Sequence, residues 1–223
     1  MQNRDKRNIV LSMLLGDGNL HITRGYGLFT IDHGIEQADF QAWKASLLSA
    51  ALDRNVKCRT GHRGKSVQIA VCMKRFRAWH KFTYKHGKKD IARILPFINN
   101  PTLAIAIWLM DDGYVEPSFS KLADGSKKNY GARFRLFTCD QTPETHAQIA
   151  AWFRLYFNIQ IKIKFTTRKK DNKTYPFIKL SQEDSLKIWK EIRSLVMQFK
   201  SMQYKFRYIE QLYLSKCLQP QAT

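Results

Sequence analysis

Acidic residues are scarce in this chain, with 18 Asp and Glu against 38 Lys and Arg and a formal net charge of +20. A surface so poor in acid draws polyanions, because each phosphate neutralised by Lys or Arg releases a counterion. Nucleic acid is the leading partner, with a merely basic surface of the ribosome-associated or membrane-surface kind as the alternative. Cysteine is sparse too: Cys58, Cys72, Cys139 and Cys217 stand far apart, with no Cys-x-x-Cys pair and no zinc spacing to the 6 histidines. That argues against a zinc ribbon or a disulfide scaffold and leaves the thiols expected of an intracellular protein. No long apolar run is present. The first apolar helix begins within about eight residues of Met1 and is interrupted by Gly16-Asp17-Gly18, too short for a signal peptide or a membrane span. The expected location is a bacterial or archaeal cytoplasm, or a chloroplast or mitochondrion if the gene is carried by the organelle. Neither a P-loop nor a Ser-His-Asp or Cys-His arrangement occurs. What is present is 44% hydrophobic and 13% aromatic residues, enough for a packed core.

Against that background one pattern occurs twice, about ninety-five residues apart: an apolar helix that ends on Asp-Gly. The first copy runs from Val10 through Leu15 to Gly16-Asp17-Gly18, and the second from Ile105 through Met110 to Asp111-Asp112-Gly113. Helices that bury their apolar sides against each other would bring Asp17 and Asp112 together. Two adjacent carboxylates repel, so cations between them would be needed to hold both ionised.

The segments after each copy follow one order: helix, two strands, helix, two strands, helix. In the first stretch Leu20 and Ile22 alternate with Asn19, His21 and Thr23, and Arg24-Gly25 turns the chain into a strand over Leu28 to His33. A helix covers Glu36 to Leu48, a second hairpin Val56 to Thr60 and Ser66 to Met73, and a helix Arg75 to Tyr84. In the second stretch the strands Tyr114 to Phe119 and Arg133 to Cys139 are separated by a long basic loop with Lys121, Lys127 and Lys128. A helix over Pro143 to Phe157 is capped by Thr142, a hairpin pairs Ile159 to Thr166 with Tyr175 to Leu180, and a helix runs from Glu183 to Met197. The expected fold class is α+β, with two pseudo-symmetric αββαββα halves at 1–100 and 101–223; chance repetition of a common order is the alternative.

One strand is especially legible, with Ile159, Ile161, Ile163 and Phe165 on one face and Gln160, Lys162, Lys164 and Thr166 on the other. Arg133 and Arg135 alternate with Phe134 and Leu136 in the same sense. An antiparallel sheet with such a face can enter a duplex major groove, whereas an ordinary solvated face also carries charge. The candidate DNA contacts are Asn19, His21, Thr23, Lys57, Arg59, Gln68, Arg133, Arg135, Gln160, Lys162, Lys164, Thr166, Arg168 and Lys170.

The doubled helix-Asp-Gly motif followed by this order resembles the LAGLIDADG homing endonucleases, in the monomeric form with two motifs in one chain. The second motif, Trp108 to Tyr114, is the more specific, and the first, Leu14 to Asn19, is looser. The Lys88-Lys89 pair and the segment Gln203-Tyr204-Lys205-Phe206 resemble the branch of the family typified by I-SceI. The resemblance implies a saddle of antiparallel sheets along duplex DNA, with the motif helices at the centre. Asp17 and Asp112 would bind catalytic divalent ions, Mg²⁺ with Mn²⁺ as a substitute, and Gly16 and Asp111 beside them complete the candidate metal site. Asp111 matches the family's helix-interface position and is expected to be structural. Lys89 and Lys205 would flank the scissile phosphates, with Lys88 or Lys85 as alternatives to Lys89. Leu11 and Ile107 depart from the small residues many family members carry, which puts the helix spacing in doubt.

The implied activity is site-specific double-strand DNA cleavage at a long, nearly asymmetric target by a monomer, for an intron-borne gene and with no membrane partner. The alternatives are a non-catalytic intron RNA maturase and a DNA-binding protein of the same fold.

Overall fold

A computed structural model of the chain describes residues 2–138, 141–168 and 172–218. Two helices form its centre, α1 (Asn3–Leu15) and α5 (Pro101–Asp112), packed against each other. Asn8 to Leu15 of α1 and Ala104 to Met110 of α5 are buried without a break, so both helices are enclosed on all sides where they meet. The middle of α1 is tied to the start of α5 by Asn8, whose Oδ1 accepts the N–H groups of Asn99 at 2.8 Å and Asn100 at 3.1 Å. Asn100 in turn caps α5 by accepting the Leu103 N–H, and Pro101 fits the first turn because its missing donor has no partner to lose there.

After α1 come β1 (Asn19–Thr23) and β2 (Tyr26–Gly34), then α2 (Ala38–Leu52), β3 (Cys58–Thr60), β4 (Ser66–Met73) and α3 (Lys74–Thr83). A short hairpin, β5 (Tyr84–Lys85) with β6 (Lys88–Lys89), and the single turn α4 (Ile91–Ile94) lead into α5. The series then repeats as β7 (Gly113–Lys121), β8 (Lys127–Phe137), α6 (Pro143–Phe157), β9 (Lys162–Arg168), β10 (Lys173–Lys179) and α7 (Gln182–Val196), followed by α8 (Gln203–Cys217). The strands form two antiparallel sheets of matching order, β1-β2-β4-β3 and β7-β8-β10-β9. Helices α2 and α6 are each 15 residues long and each ends on a residue in the left-handed region, Asp53 and Asn158. Among the described residues no helix is long and apolar enough to cross a membrane.

Four expectations need correction. The basic loop between Tyr114 to Phe119 and Arg133 is instead ladder, because β7 and β8 stay paired out to Lys121 and Lys127. Phe165 does not share the burial of Ile159: it is 68% exposed, while Ile161 and Ile163 are half-buried. The reason lies in the ladder. β10 pairs with β8 only over Phe177–Lys179, whereas β9 and β10 run on together to Arg168 and Lys173, so the outer end of their hairpin stands clear of the sheet. Pro176, which has no N–H to donate, sits where the β8 pairing stops. The hairpin β5–β6 was not foreseen; its two-residue turn, His86 and Gly87, has both φ values positive, at 50° and 74°. Helix α8, beyond the repeated unit, was not foreseen either. Cys139 lies outside the described residues.

Candidate functional site

Both motif helices end in a turn that only glycine can close. The Gly18 N–H donates to the Met13 carbonyl at 2.9 Å, and the Gly113 N–H to the Leu109 carbonyl. A Cβ would lie 2.5 Å from Met13 O at Gly18 and 2.3 Å from Leu109 O at Gly113. The acids just before these glycines, Asp17 and Asp112, therefore sit at matching positions, although the first turn closes five residues back, beyond the end of α1, and the second four back, as the last turn of α5. Burial, followed by repulsion from Asp17 and Asp111, pushes the Asp112 carboxyl up from 3.8 to about 7. Burial also raises Asp17, with the Asp111 charge adding to it.

Two lysines serve the carbonyls beside these acids. Lys89 Nζ donates to Gly16 O at 2.5 Å and Gly18 O at 3.0 Å, and Lys205 Nζ donates to Met110 O at 2.6 Å and Asp111 O at 3.0 Å. Alternation along β6 explains why Lys89 and not Lys88 turns inward: Lys88 is exposed. Burial lowers the pKa of both Lys89 and Lys205, against the upward pull of the three aspartates.

The side chain of Asp111 is already engaged. It is fully buried, with Oδ1 2.5 Å from Lys44 Nζ and Oδ2 accepting the Asp17 N–H at 3.0 Å. Lys44, itself fully buried, also lies 2.9 Å from His33 Nε2. An ammonium has only donors, so His33 Nε2 is the acceptor, and the ring proton resides on Nδ1, 3.6 Å from Asp17 Oδ2. Burial and then the Lys44 charge push His33 down to about 4, so the ring is neutral near pH 7. Ligand atoms of Asp17, His33 and Asp111 lie within 4.8 Å of one another, a spacing that suits a metal ion. The Lys44 ammonium holds that position already, and what Asp111 offers outward is its carbonyl. The oxygens left are the Asp17 and Asp112 carboxylates and the second lone pairs of the Gly16 and Asp111 carbonyls, whose first ones accept from Lys89 and Lys205, a hard donor set suited to a small divalent cation.

Sequence reasoning missed Lys44 and His33. The signal for Lys44 was visible: Phe40 and Leu48 lie four residues to either side of it, on the buried face of α2.

The two sheet faces differ in how freely they present their polar residues. On the first sheet Asn19, His21, Thr23 and Arg59 are exposed and Gln68 is half-buried opposite Arg59; Lys57, also exposed, precedes β3. On the second, Lys162, Lys164 and Thr166 are exposed, and Arg133 Nη1 donates to Ser118 Oγ at 3.0 Å. Arg135 is spent within the sheet, paired with Glu116 and placed 4.8 Å over the Phe177 ring. Lys179 reaches the same Glu116 at 2.6 Å, so this face is less uniformly positive than the alternation of charges implied. Gln160 precedes β9 rather than lying within it. Arg168 ends β9, and Lys170 lies outside the described residues.

A family model described as the LAGLIDADG DNA endonuclease family matches residues 7–188. The chain belongs to that family. Among solved structures it is similar to the homing endonuclease I-WcaI bound to its DNA recognition sequence, at 18% identity and a TM-score of 0.62 over 91% of this chain and 85% of that one. It is also similar to I-SmaMI bound to an uncleaved DNA target in the presence of calcium ions, at 5% identity and TM-score 0.57 over 95% and 92%. I-DmoI in complex with DNA and Ca aligns at 11% identity and TM-score 0.51 over 88% and 91%. At these identities the likeness shows the fold, the two-sheet saddle of LAGLIDADG proteins. A curated relative, Protein RecA of Mycobacterium shimoidei, is 27% identical over 163 residues, 70% of this chain. The chain spans 37% of that protein's length, so the name does not carry over.

Proposed function

We propose that this LAGLIDADG chain is a site-specific endonuclease that hydrolyses both strands of duplex DNA, a homing endonuclease with one acidic turn for each strand. The observation that carries the reading is the closeness of the Asp17 and Asp112 carboxylates at the ends of the two motif helices, with Lys89 bonded to the Gly16 carbonyl and Lys205 to the Asp111 carbonyl beside them. Residues 1–100 and 101–223 act as the two halves of a monomer, in the manner of the I-SceI-like branch. Asp17 and Asp112, with the Gly16 and Asp111 carbonyls, hold divalent cations, Mg²⁺ with Mn²⁺ as a substitute. When bound, these supply activation of water and stabilisation of charge at the phosphate.

The chain's own residues supply the rest. Phosphodiester hydrolysis adds a water oxygen to phosphorus and expels a sugar oxygen, so negative charge builds on the phosphate. Lys89 and Lys205, each beside a turn carbonyl and partly desolvated, stabilise that charge. The exposed polar groups of the two sheets, Asn19, His21, Thr23, Lys57, Arg59 and Gln68 on one and Lys162, Lys164 and Thr166 on the other, contact bases and phosphates. Placement in a bacterial or archaeal cytoplasm, or in an organelle that carries the gene, fits such a protein.

The test is incubation with duplex DNA spanning the uninterrupted insertion site, with and without Mg²⁺. Metal-dependent cutting of both strands supports the reading. Tight binding of intron RNA, with no cutting of this duplex by a folded protein, would replace it with an RNA-binding role.

A further inference from the structure

The pseudo-twofold arrangement of the two turns is broken at one buried position. The residue before the acid is Asp111 in one copy and Gly16 in the other. A Cβ on Gly16 would lie 2.3 Å from Asp111 Oδ2, so there is room for one inner carboxylate and not two. The surroundings differ to match. Lys44, which neutralises Asp111, is the seventh residue of α2; the seventh residue of the equally long α6 is Ile149, fully buried and apolar. His33 stands three residues beyond Thr30, which pairs with Asn19, and Thr138 three beyond Arg135, which pairs with the equivalent Tyr114. Thr138 Oγ1 is bonded to His146 Nε2 at 2.8 Å.

Resting on the endonuclease reading, we propose that Lys44, Asp111 and His33 are positioning residues that make the Asp17 turn the stronger divalent-cation site, so that the two DNA strands are cut in a fixed order.

The Asp17 turn is fastened at its backbone N–H, which Asp111 Oδ2 holds at 3.0 Å, and His33 Nδ1 stands 3.6 Å from its carboxylate, beyond hydrogen-bond distance. Lys44 anchors both of those partners. The Asp112 turn has Gly16, Ile149 and Thr138 in the matching places, and its acid, the last residue of α5, is placed by its own helix rather than by side chains of the other half. An oxygen ligand already fixed by its neighbours loses less freedom when a cation arrives, and outer partners of this kind change metal affinity by about 10–100-fold. The fastening crosses between the halves, since Lys44 and His33 belong to the first and Asp111 to the second.

The test measures Mn²⁺ binding and strand cutting separately. Calorimetric titration of Asp112→Asn, which keeps the Asp17 site, is expected to give an affinity about tenfold or more above that of Asp17→Asn, which keeps the other. In the neutral background Lys44→Met/Asp111→Asn the two affinities should converge. With each strand of the duplex end-labelled in turn, the unmodified protein should accumulate one specific nick before the double-strand break, and the double variant should bring the two strand rates towards equality. A loss of general stability would slow both strands together and leave their ratio unchanged.

Equal Mn²⁺ affinities in Asp17→Asn and Asp112→Asn, or an unchanged strand ratio in a folded double variant, overturns the proposal. Should the double variant fail to fold, Lys44→Arg keeps the charge and must keep both the strand order and the affinity difference. Unequal Mn²⁺ sites in a protein that cuts no duplex would sink the endonuclease reading and leave the positioning role standing.

Discussion

Lys89 and Lys205 reach one equivalent carbonyl each, Gly16 and Asp111, by different routes. Lys89 arrives on the inner side of a two-residue-per-strand hairpin, and Lys205 on the first turn of a helix that has no match in the first half. The two halves agree where a nitrogen must meet an oxygen and disagree in what carries the nitrogen there. In the helices next to the turns the disagreement reaches the core, where Lys44 in one half is answered by Ile149 in the other. Doubling thus fixes the main-chain turns, through glycines that admit no Cβ, and leaves the side chains behind them free to diverge.

The strongest way to test the shared part is to remove either acid. Asp17→Asn or Asp112→Asn is expected to bring double-strand cutting below detection while duplex binding, carried by the sheet faces, is largely kept. Gel-shift and cleavage assays on the same preparations decide it: cutting at the normal rate by either variant removes that residue from the site.

The divergent part is tested by stability. Lys44→Met leaves Asp111 buried without its cation and should lower unfolding free energy by about 3–5 kcal/mol in urea melts, the usual cost of breaking a buried pair from one side. Adding Asp111→Asn should recover most of that, because no bare charge remains. At the matching site Ile149→Met, a near-isosteric change, should cost less than about 1.5 kcal/mol. Similar losses from Lys44→Met and Ile149→Met would mean that the buried pair contributes little beyond its volume.

Replacement of Lys89 or Lys205 by Met should slow cleavage by about 100-fold with binding intact, the scale for losing one preorganised electrostatic stabiliser. Equal slowing would mean that a hairpin and a helix deliver equivalent charges, and a large difference that the route matters. A normal rate for Lys205→Met would leave its carbonyl contacts a purely structural role.

The repeated Asp-Gly helix ends, the order of elements and the inner face of the strand around Ile159 were legible because each rests on local pattern: helical spacing, strand alternation and glycine at a tight turn. Lys89 and Lys205 were singled out through family resemblance, and only the fold shows which carbonyls they meet. The buried pairing was not legible: the spacing of Phe40 and Leu48 marks the buried side of α2 on which Lys44 lies, but its partner Asp111 is 67 residues away in sequence. Arg135 likewise seemed free as a DNA contact until β7 and β8 brought Glu116 beside it. Phe165 failed for a related reason, since alternation predicts which face a residue takes and not how far the neighbouring strand extends.

The smallest effect concerns pH and separates the two acids by their protons. Asp112 rises from 3.8 to about 7, so in the metal-free protein its neutral form is favoured below pH 7. Its contribution to stability is fully present below about pH 4 and is lost as pH rises through 7, where the buried carboxyl must ionise. Asp17 is shifted in the same direction and adds to the trend. His33, already neutral above about 4, takes no part in this window. A divalent cation reverses the preference because it requires the carboxylate, and below pH 7 it must displace a proton from Asp112. Apparent Mg²⁺ affinity should therefore fall by up to about tenfold for each pH unit below 7. Thermal melts at pH 6 and pH 8, each with and without Mg²⁺, should show the larger metal-induced rise in Tm at pH 8. In Asp112→Asn that difference should shrink to whatever Asp17 supplies alone; an equal rise at both pH values in the unmodified protein would mean that no proton competes with the cation at this turn.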